Sequence, residues 1–426
     1  MKIGFYSLGC KVNQYESDAM AQNAKKHGYS VSDTDDADII VVNSCTVTST
    51  ADSKSRQAVR KFKRLGKTVV LTGCMPQAYP QQASLLAEAD IVLGNKNNHK
   101  LFDAVDTFFE TKNRVFMVEE HKKGDPFISE CIASCEGRTR AVVKIQDGCD
   151  RFCAYCVIPY ARGRVRSKPL DDIKKELLLL ADSGYREVVF AGINLSSYGR
   201  DINLDLSDAV KAANDTPGIQ RVRLGSLEPD HMTDEMIKKL SVCQKLCPQF
   251  HISLQSGCDK TLKAMNRHYD SAEYERICRS LRSSFKDCTI TTDFMVGFPG
   301  ETDEDFAQSL GFIRKIGFQK VHVFPYSPRE GTRAAKMPGQ LDKSVKQQRC
   351  KAAIDCCEEI RKSFFESNIG KQVSVLLESK TSCGCMTGYT ENYIPVKVKA
   401  PQNLCGAVVN CVIVSCDGER CTGELI

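Results

Sequence analysis

No stretch of this chain approaches the ~18 consecutive apolar residues that a membrane-spanning helix requires, so a bilayer span is not expected. The opening Met1-Lys-Ile-Gly-Phe-Tyr-Ser-Leu-Gly-Cys10 superficially resembles a lipoprotein cleavage site. Its apolar run is shorter than a signal-peptide core, however, and Lys11 follows directly, so the segment reads as a first β-strand and the chain as cytoplasmic. A strong charge of one sign is also missing: 59 Lys and Arg stand against 53 Asp and Glu, a net +6, which leaves room for basic patches but does not establish a nucleic-acid partner. In a reducing compartment the 22 cysteines do not read as a disulfide framework; metal ligands and small buried residues are the expected uses.

What is present begins with Cys149-Asp150-Arg151-Phe152-Cys153-Ala154-Tyr155-Cys156, three thiols within eight residues. An iron–sulfur cube normally takes four cysteines, one per iron. Three leave one iron open to a ligand, as catalytic metal sites keep a position free. The same i, i+4, i+7 spacing would also suit a buried stripe of small residues on a helix. Gly148 and Pro159 bracket the stretch as loop punctuation and favour the first reading.

The 426 residues suffice for two or three domains, and 42% hydrophobic with 26% charged is globular composition. Residues 1–118 alternate strand-like runs (2–7, 37–42, 68–71, 90–93) with helical stretches, predicting a doubly wound α/β domain. Cys10, Cys45 and Cys74 each lie just beyond a strand's carboxyl end. In an open parallel sheet these ends share one edge, so the three thiols are expected to converge, although three unrelated buried cysteines remain an alternative. Residues 119–138 are polar with Gly and Pro, a linker.

From 139 to 368 six strand-like runs (141–145, 187–191, 221–225, 250–254, 289–296, 320–325) alternate with helical stretches, an incomplete (βα)6 barrel. The cysteine loop follows its first strand. Asn194, Ser226, Glu228, Gln255 and Ser256 follow later ones, and Asp293 lies within the fifth, so a small-molecule site is expected at that face. Directly after the loop comes a basic segment, Arg162, Arg164, Arg166 and Lys168, which suits an anionic polymer. Residues 341–368 read as one long helix ending near Gly370, and residues 369–426 as a small β-barrel.

Together these features resemble the radical S-adenosylmethionine (SAM) methylthiotransferases, and the closing segment resembles their TRAM domain. Leu8-Gly9-Cys10-Lys11-Val12-Asn13-Gln14-Tyr15-Glu16 and the stretch from Gln146 to Arg164 are similar to the bacterial MtaB-type branch. That branch adds a methylthio group at C2 of N6-threonylcarbamoyladenosine 37 in tRNA. Other branches act on isopentenyladenosine 37 of tRNA or on an aspartate of a ribosomal protein. The resemblance implies two [4Fe–4S] clusters, one held by Cys149, Cys153 and Cys156 and binding SAM at its open iron. The other would be held by Cys10, Cys45 and Cys74 and carry the sulfur to be installed. It implies SAM consumed both as radical source and as methyl donor, an electron donor such as flavodoxin or ferredoxin, and the tRNA anticodon stem-loop as partner.

No side-chain acid or base is expected to carry the reaction, because an aromatic C2–H is neither acidic nor a leaving group. The protein's part is to place and tune its cofactors. By match to the family pattern Tyr155, Ser226, Glu228, Gln255, Arg267 and Asp293 are expected to line the SAM site. RNA contact is expected from Arg162, Arg164, Arg166 and Lys168, and in the TRAM-like segment from Tyr389, Tyr393, Lys397 and Lys399. Residues 364–426 carry five Lys and Arg against six Asp and Glu, a poor electrostatic footprint for RNA. Their cysteines, Cys383, Cys385, Cys405, Cys411, Cys416 and Cys421, match no compact ligand set and are expected to be reduced, partly buried thiols. The reading from a different class is a non-catalytic RNA-binding protein whose cysteines hold zinc or a redox-sensing cluster.

Overall fold

A computed structural model describes residues 1–134, 137–381 and 384–426. The first sheet contains β1 (Lys2–Ser7), β2 (Ser30–Val31), β3 (Ile39–Ser44), β4 (Thr68–Gly73), β5 (Ile91–Leu93) and β6 (Val115–Met117), ordered β2-β1-β3-β4-β5-β6 and parallel throughout. Helices α1 (Lys11–Lys26), α2 (Ser49–Arg64), α3 (Cys74–Ala78), α4 (Pro80–Ser84) and α5 (Leu101–Thr111) connect the strands. Every residue of β3 is buried, as a central strand covered on both faces demands, and its Ile39-Ile-Val-Val42 run meets that need with β-branched side chains. The short β2 and β6, absent from the strand runs read in the sequence, add an edge on each side.

Segment 119–138 is more than a spacer. Ile132 is buried in the core shared by α1 and the second domain. The Glu130 carbonyl accepts from Tyr15 Oη at 2.6 Å and from Lys168 Nζ at 2.5 Å.

In the second domain β7 (Arg140–Lys144) leads into β8 (Gln146–Asp147), which pairs antiparallel with β9 (Arg166–Ser167). This two-residue clamp closes the base of the cysteine loop and of α6 (Ile158–Arg162). The wall continues through β10 (Glu187–Ala191), β11 (Arg221–Leu224), β12 (Ser226–Leu227), β13 (Gln249–Ile252), β14 (Thr289–Val296) and β15 (Lys320–Pro325). The expected third barrel strand is broken at Gly225: β11 pairs with β10, and β12 pairs with β13, so one bent strand joins two parallel sheets into an open half-barrel. Its outer layer is α7 (Leu170–Asp182), α8 (Leu206–Asp215), α9 (Asp234–Ser241), α10 (Asp259–Ala264), α11 (Ser271–Ser284) and α12 (Asp303–Ile316). Reciprocal caps fix two of these starts, Asp205 with Asp208 on α8 and Thr302 with Asp305 on α12.

The long helix α13 (Lys343–Glu366) ends before Gly370, whose φ of +85° turns the chain. It hands over to a closed five-stranded barrel of β16 (Gln372–Lys380), β17 (Met386–Thr390), β18 (Pro395–Val398), β19 (Val408–Cys416) and β20 (Cys421–Leu425), a TRAM-like domain. The domain docks on the amino-terminal side of the half-barrel strands. Arg221 donates to the carbonyls of Tyr389 (3.1 Å) and Ser374 (2.9 Å), and Arg223 to those of Thr390 and Glu391 (both 2.7 Å).

The expectation of single reduced thiols in this domain is corrected for one pair. Cys416 and Cys421 face each other across β19 and β20 and form a disulfide, because the hairpin register sets them opposite one another. Cys411 is buried, Cys385 half-buried and Cys405 exposed, while Cys383 lies outside the described residues. Among the described residues no helix is long and apolar enough to cross a membrane.

Candidate active site between two cysteine trios

Because β1, β3 and β4 are neighbours in the first sheet, the residues that follow them come together at its carboxyl edge. Cys10 caps the start of α1, Cys45 follows β3, and Cys74 is the first residue of α3. Gly9, at φ +102°, lies so close to Cys45 that an added Cβ would meet its Sγ at 2.8 Å, so only glycine lets the two loops close up. Cys45 and Cys74 are buried and Cys10 is exposed. Burial pushes the Cys74 thiol up to about 12, against the pull of the Arg162 guanidinium, and the neighbouring Cys45 and Cys10 add to the rise.

The second trio lies on the loop between β8 and α6. Gly148, at φ +74°, admits the Arg164 backbone, whose oxygen would stand 1.9 Å from a Cβ there, and Cys149 N–H donates to the Gly163 carbonyl at 3.0 Å. Burial raises the Cys149 thiol to about 12 and raises that of Cys156 as well. N–H donors are aimed at sulfurs in both trios. Arg162 Nε lies 3.1 Å from Cys74 Sγ, Arg267 Nη1 3.3 Å from Cys153 Sγ, and Asn194 Nδ2 3.9 Å from Cys149 Sγ. Such donors tune iron–sulfur clusters. Among the described residues no three His, Cys, Asp or Glu side chains gather tightly enough to grip one ion.

Cys156 of the second trio and the segment that follows Cys45 of the first border one cleft. A cleft of about 170 Å³ is lined by Tyr155, Cys156, Gln255 and Asp293 from the half-barrel and by Val47 and Thr48, directly after Cys45, from the first domain. The Oε1 of Gln255 and the Oδ1 of Asn194 are buried without a hydrogen-bond partner among the described residues, acceptors that a cationic ligand such as the SAM ammonium can satisfy. Burial raises Glu228, opposed by its ion pair with Arg267, which also reaches Tyr155 Oη at 3.4 Å. Burial would raise Asp293 too, but His251, 3.2 Å away, and His322 hold its carboxyl below the usual range. Ser226 is exposed. The six residues expected to line the SAM site thus divide into three on the cleft and a second group, Glu228 and Arg267 tied to Tyr155 and Cys153, with Ser226 on β12.

The basic segment departs most from expectation. Arg162 (1% exposed) and Lys168 (0%) are buried and cannot meet RNA, which corrects their assignment. Arg162 is the hub of an inter-domain network: it pairs with Glu16, donates to Asn13 Oδ1 at 2.7 Å, and lies 3.4 Å from Asp147. Lys144 bridges Glu16 and Asp147 at 2.7 Å each. Burial pushes Glu16 up, but Arg162 and Lys144 outweigh it and keep the carboxyl low. Lys168 pairs with Glu176 at 2.6 Å beside Tyr15. Arg166 is largely buried against Asp147, and Arg164 alone of the four stays exposed.

In the TRAM-like domain Tyr389 and Tyr393 stack on each other at 4.5 Å beneath Arg140 and Arg223 and are half-buried. Lys397 is half-buried and Lys399 exposed. Sequence reasoning missed Glu16, Lys144 and Asp147, and also the buried Arg329–Asp52 pair joining the domains, because each partner lies in a different domain and no local pattern marks it.

Residues 143–313 match the radical SAM superfamily and residues 2–94 match an uncharacterized protein family, UPF0004. The threonylcarbamoyladenosine tRNA methylthiotransferase MtaB of Thermotoga maritima is 39% identical over 91% of this chain and 89% of its own length. Its Bacillus subtilis counterpart is 34% identical over 97% and 93%. A tRNA-2-methylthio-N(6)-dimethylallyladenosine synthase of Alkaliphilus oremlandii is 33% identical over 99% and 92%. Among solved structures, the radical SAM methyltransferase TsrM of Kitasatospora setae shares the fold at a TM-score of 0.57 and 14% identity, over 76% of this chain and 72% of that one. With identity at this level over nearly the whole length of both chains, the chain belongs to the radical SAM methylthiotransferase family, of which the MtaB relatives are members.

Proposed function

We propose that this protein installs a methylthio group at C2 of N6-threonylcarbamoyladenosine 37 in tRNA, holding two [4Fe–4S] clusters on its two cysteine trios and using two molecules of SAM. The observation that carries the reading is the shared cleft: Cys156 and Tyr155 form one wall and the segment after Cys45 the other. When bound, the clusters and SAM supply one-electron chemistry and a sulfur atom, neither of which a side chain here can provide. The chain's own residues orient and shield. Arg267 steadies Glu228 and Cys153, Gln255 and Asp293 offer acceptors within the cleft, and Arg162 fixes Cys74 against the half-barrel. The supply of electrons falls to a donor of the flavodoxin or ferredoxin class.

The choice of nucleoside rests on the MtaB relatives and on Lys11. Next to Cys10, Lys11 is exposed, makes no ion pair among the described residues, and lies in the field of Tyr393, Arg140, Arg223 and the Glu187 carboxylate. A threonylcarbamoyl group carries a carboxylate for such a cation to meet, whereas a dimethylallyl group is a neutral hydrocarbon. The dimethylallyladenosine reading keeps support from the synthase that is 33% identical over nearly the whole chain.

Anaerobically reconstituted protein should hold about eight irons, two cubes, falling to about half in Cys10→Ala. Incubated with SAM and a reductant, it should convert threonylcarbamoyl-modified tRNA to its methylthio form by nucleoside mass spectrometry. Conversion of dimethylallyl-modified tRNA alone would overturn the choice of nucleoside, and iron near four that Cys10→Ala leaves unchanged would overturn the second cluster.

A further inference from the structure

Beside the cysteine loop opens a second, larger cleft of about 810 Å³, walled by the 119–138 segment on one side and by the loops after β8 and β10 on the other. Its cations outnumber its carboxylates, and most of those carboxylates are already engaged. Asp201 accepts from Ser167 N (2.9 Å) and Oγ (2.5 Å), and Asp125 pairs with Lys96 at 2.9 Å. Asp150 faces Arg164 at 3.3 Å, with both half exposed. Lys122, Lys123 and Arg200 line the cleft exposed, with no carboxylate within ion-pair distance among the described residues. Three cations left unopposed along one groove are a site for an anionic backbone.

An independent feature stands at the rim. Phe152, inside the cysteine loop, is 36% exposed at φ +48°, a conformation that costs energy for an L side chain and persists only where surroundings enforce it. Asn266 enforces it, donating to the Phe152 carbonyl at 3.2 Å. The ring meets Tyr160, itself 57% exposed, edge-on at 5.8 Å, and the Arg164 guanidinium lies 4.7 Å over its face. Two exposed aromatics beside an arginine plane form a platform for an unpaired base.

We infer that this groove is the main RNA-docking surface at the cysteine loop: Lys122, Lys123 and Arg200 carry backbone phosphates of a single-stranded loop, and Phe152 with Tyr160 stacks a base flanking the one modified. The inference rests on the tRNA reading above and adds where and how the RNA is held.

The test uses the full-length, cluster-loaded protein and an anticodon stem-loop RNA, with affinity followed across a salt series and iron content confirming that each variant is intact. The Lys122→Ala/Lys123→Ala/Arg200→Ala variant should bind on the order of tenfold or more weakly at low salt and lower the slope of log affinity against log salt by about two, at ~0.7 per single-strand phosphate. Tyr160→Ala should weaken binding roughly tenfold with its slope unchanged, the mark of lost stacking. Phe152→Leu should do the same. Lys397→Ala/Lys399→Ala should lose less affinity than the triple variant. A triple variant with wild-type affinity and slope refutes the groove while leaving the tRNA reading intact, as does a larger loss from the TRAM pair. Aromatic variants that bind as wild type refute the stacking platform. A wild-type protein that binds no tRNA fails the underlying reading itself.

Discussion

Replacing Arg162 tests whether the two domains are locked by a buried charge network or only adjoin. Arg162→Met keeps most of the side chain's apolar volume and removes the guanidinium from Glu16, Asn13, Asp147 and Cys74 Sγ. Glu16 and Asp147, each with side chains about 9% exposed, then share Lys144, and Asp147 keeps Arg166 as well. Removing one partner of a buried pair costs about 3–5 kcal/mol. The two remaining cations place the loss near the lower bound, about 3 kcal/mol, a large fraction of the ~5–15 kcal/mol that separates folded from unfolded chains. Because Glu16, Asn13 and Cys74 belong to the first domain and Asp147 to the second, the loss should appear as undocking. Urea melts should shift by that amount, the 119–138 segment should become sensitive to protease, and iron at the early trio should fall. Glu16→Gln in the Arg162→Met background should recover part of the loss, since it removes the carboxylate left uncompensated. An RNA-contacting Arg162 behaves in the opposite way, with unchanged melts and a salt slope for RNA binding reduced by about one. A melt within ~0.5 kcal/mol of wild type, at full iron, would refute the buried-hub account.

Lys11→Gln should lower kcat/KM on threonylcarbamoyl-modified RNA about 10- to 100-fold, the worth of a charge-assisted contact of ~1.5–3 kcal/mol, while leaving iron content unchanged; equal turnover by both proteins rules out carboxylate reading by Lys11. Gly148→Ala forces a Cβ against the Arg164 carbonyl at φ +74°, so iron at the Cys149, Cys153 and Cys156 loop should be lost while the first trio keeps its share; full loading in that variant removes the steric argument. The Asp305 carboxyl accepts from Thr302 N–H at the start of α12, at 3.0 Å, and pairs with Lys260; burial raises it, but these contacts prevail and hold it at about 2, below the usual 3.8. A group held low contributes above its unfolded value and loses that contribution as pH falls. Asp305→Ala should therefore cost ~1 kcal/mol at neutral pH, shrinking between about pH 4 and 2, and a cost that does not change across this window excludes the ionised cap.

Local features of the chain were legible because their determinants are local. The eight residues carrying Cys149, Cys153 and Cys156 fold as one loop, and the strand runs ahead of Cys10, Cys45 and Cys74 placed those thiols on one sheet edge by topology alone. Strands of two or three residues, such as β2 and β6, left too short a pattern to see. Arg162 and Lys168 looked like solvated charge because their partners Glu16, Asp147 and Tyr15 lie far along the chain, where spacing carries no information. The Cys416–Cys421 pairing, too, depended on the register of a hairpin whose second strand had not been read.

By itself, then, the amino-acid sequence determined the order of the three folding units, the two sets of thiols and the chemistry such sets can hold, since backbone periodicity and short spacings encode all of these. Tertiary structure alone decided which charges are buried, which face of the half-barrel the terminal domain covers, and that Cys156 and the segment after Cys45 line one cleft. Those outcomes depend on desolvation and contact between segments more than a hundred residues apart, and burial is a property of the assembled surface rather than of any stretch of chain.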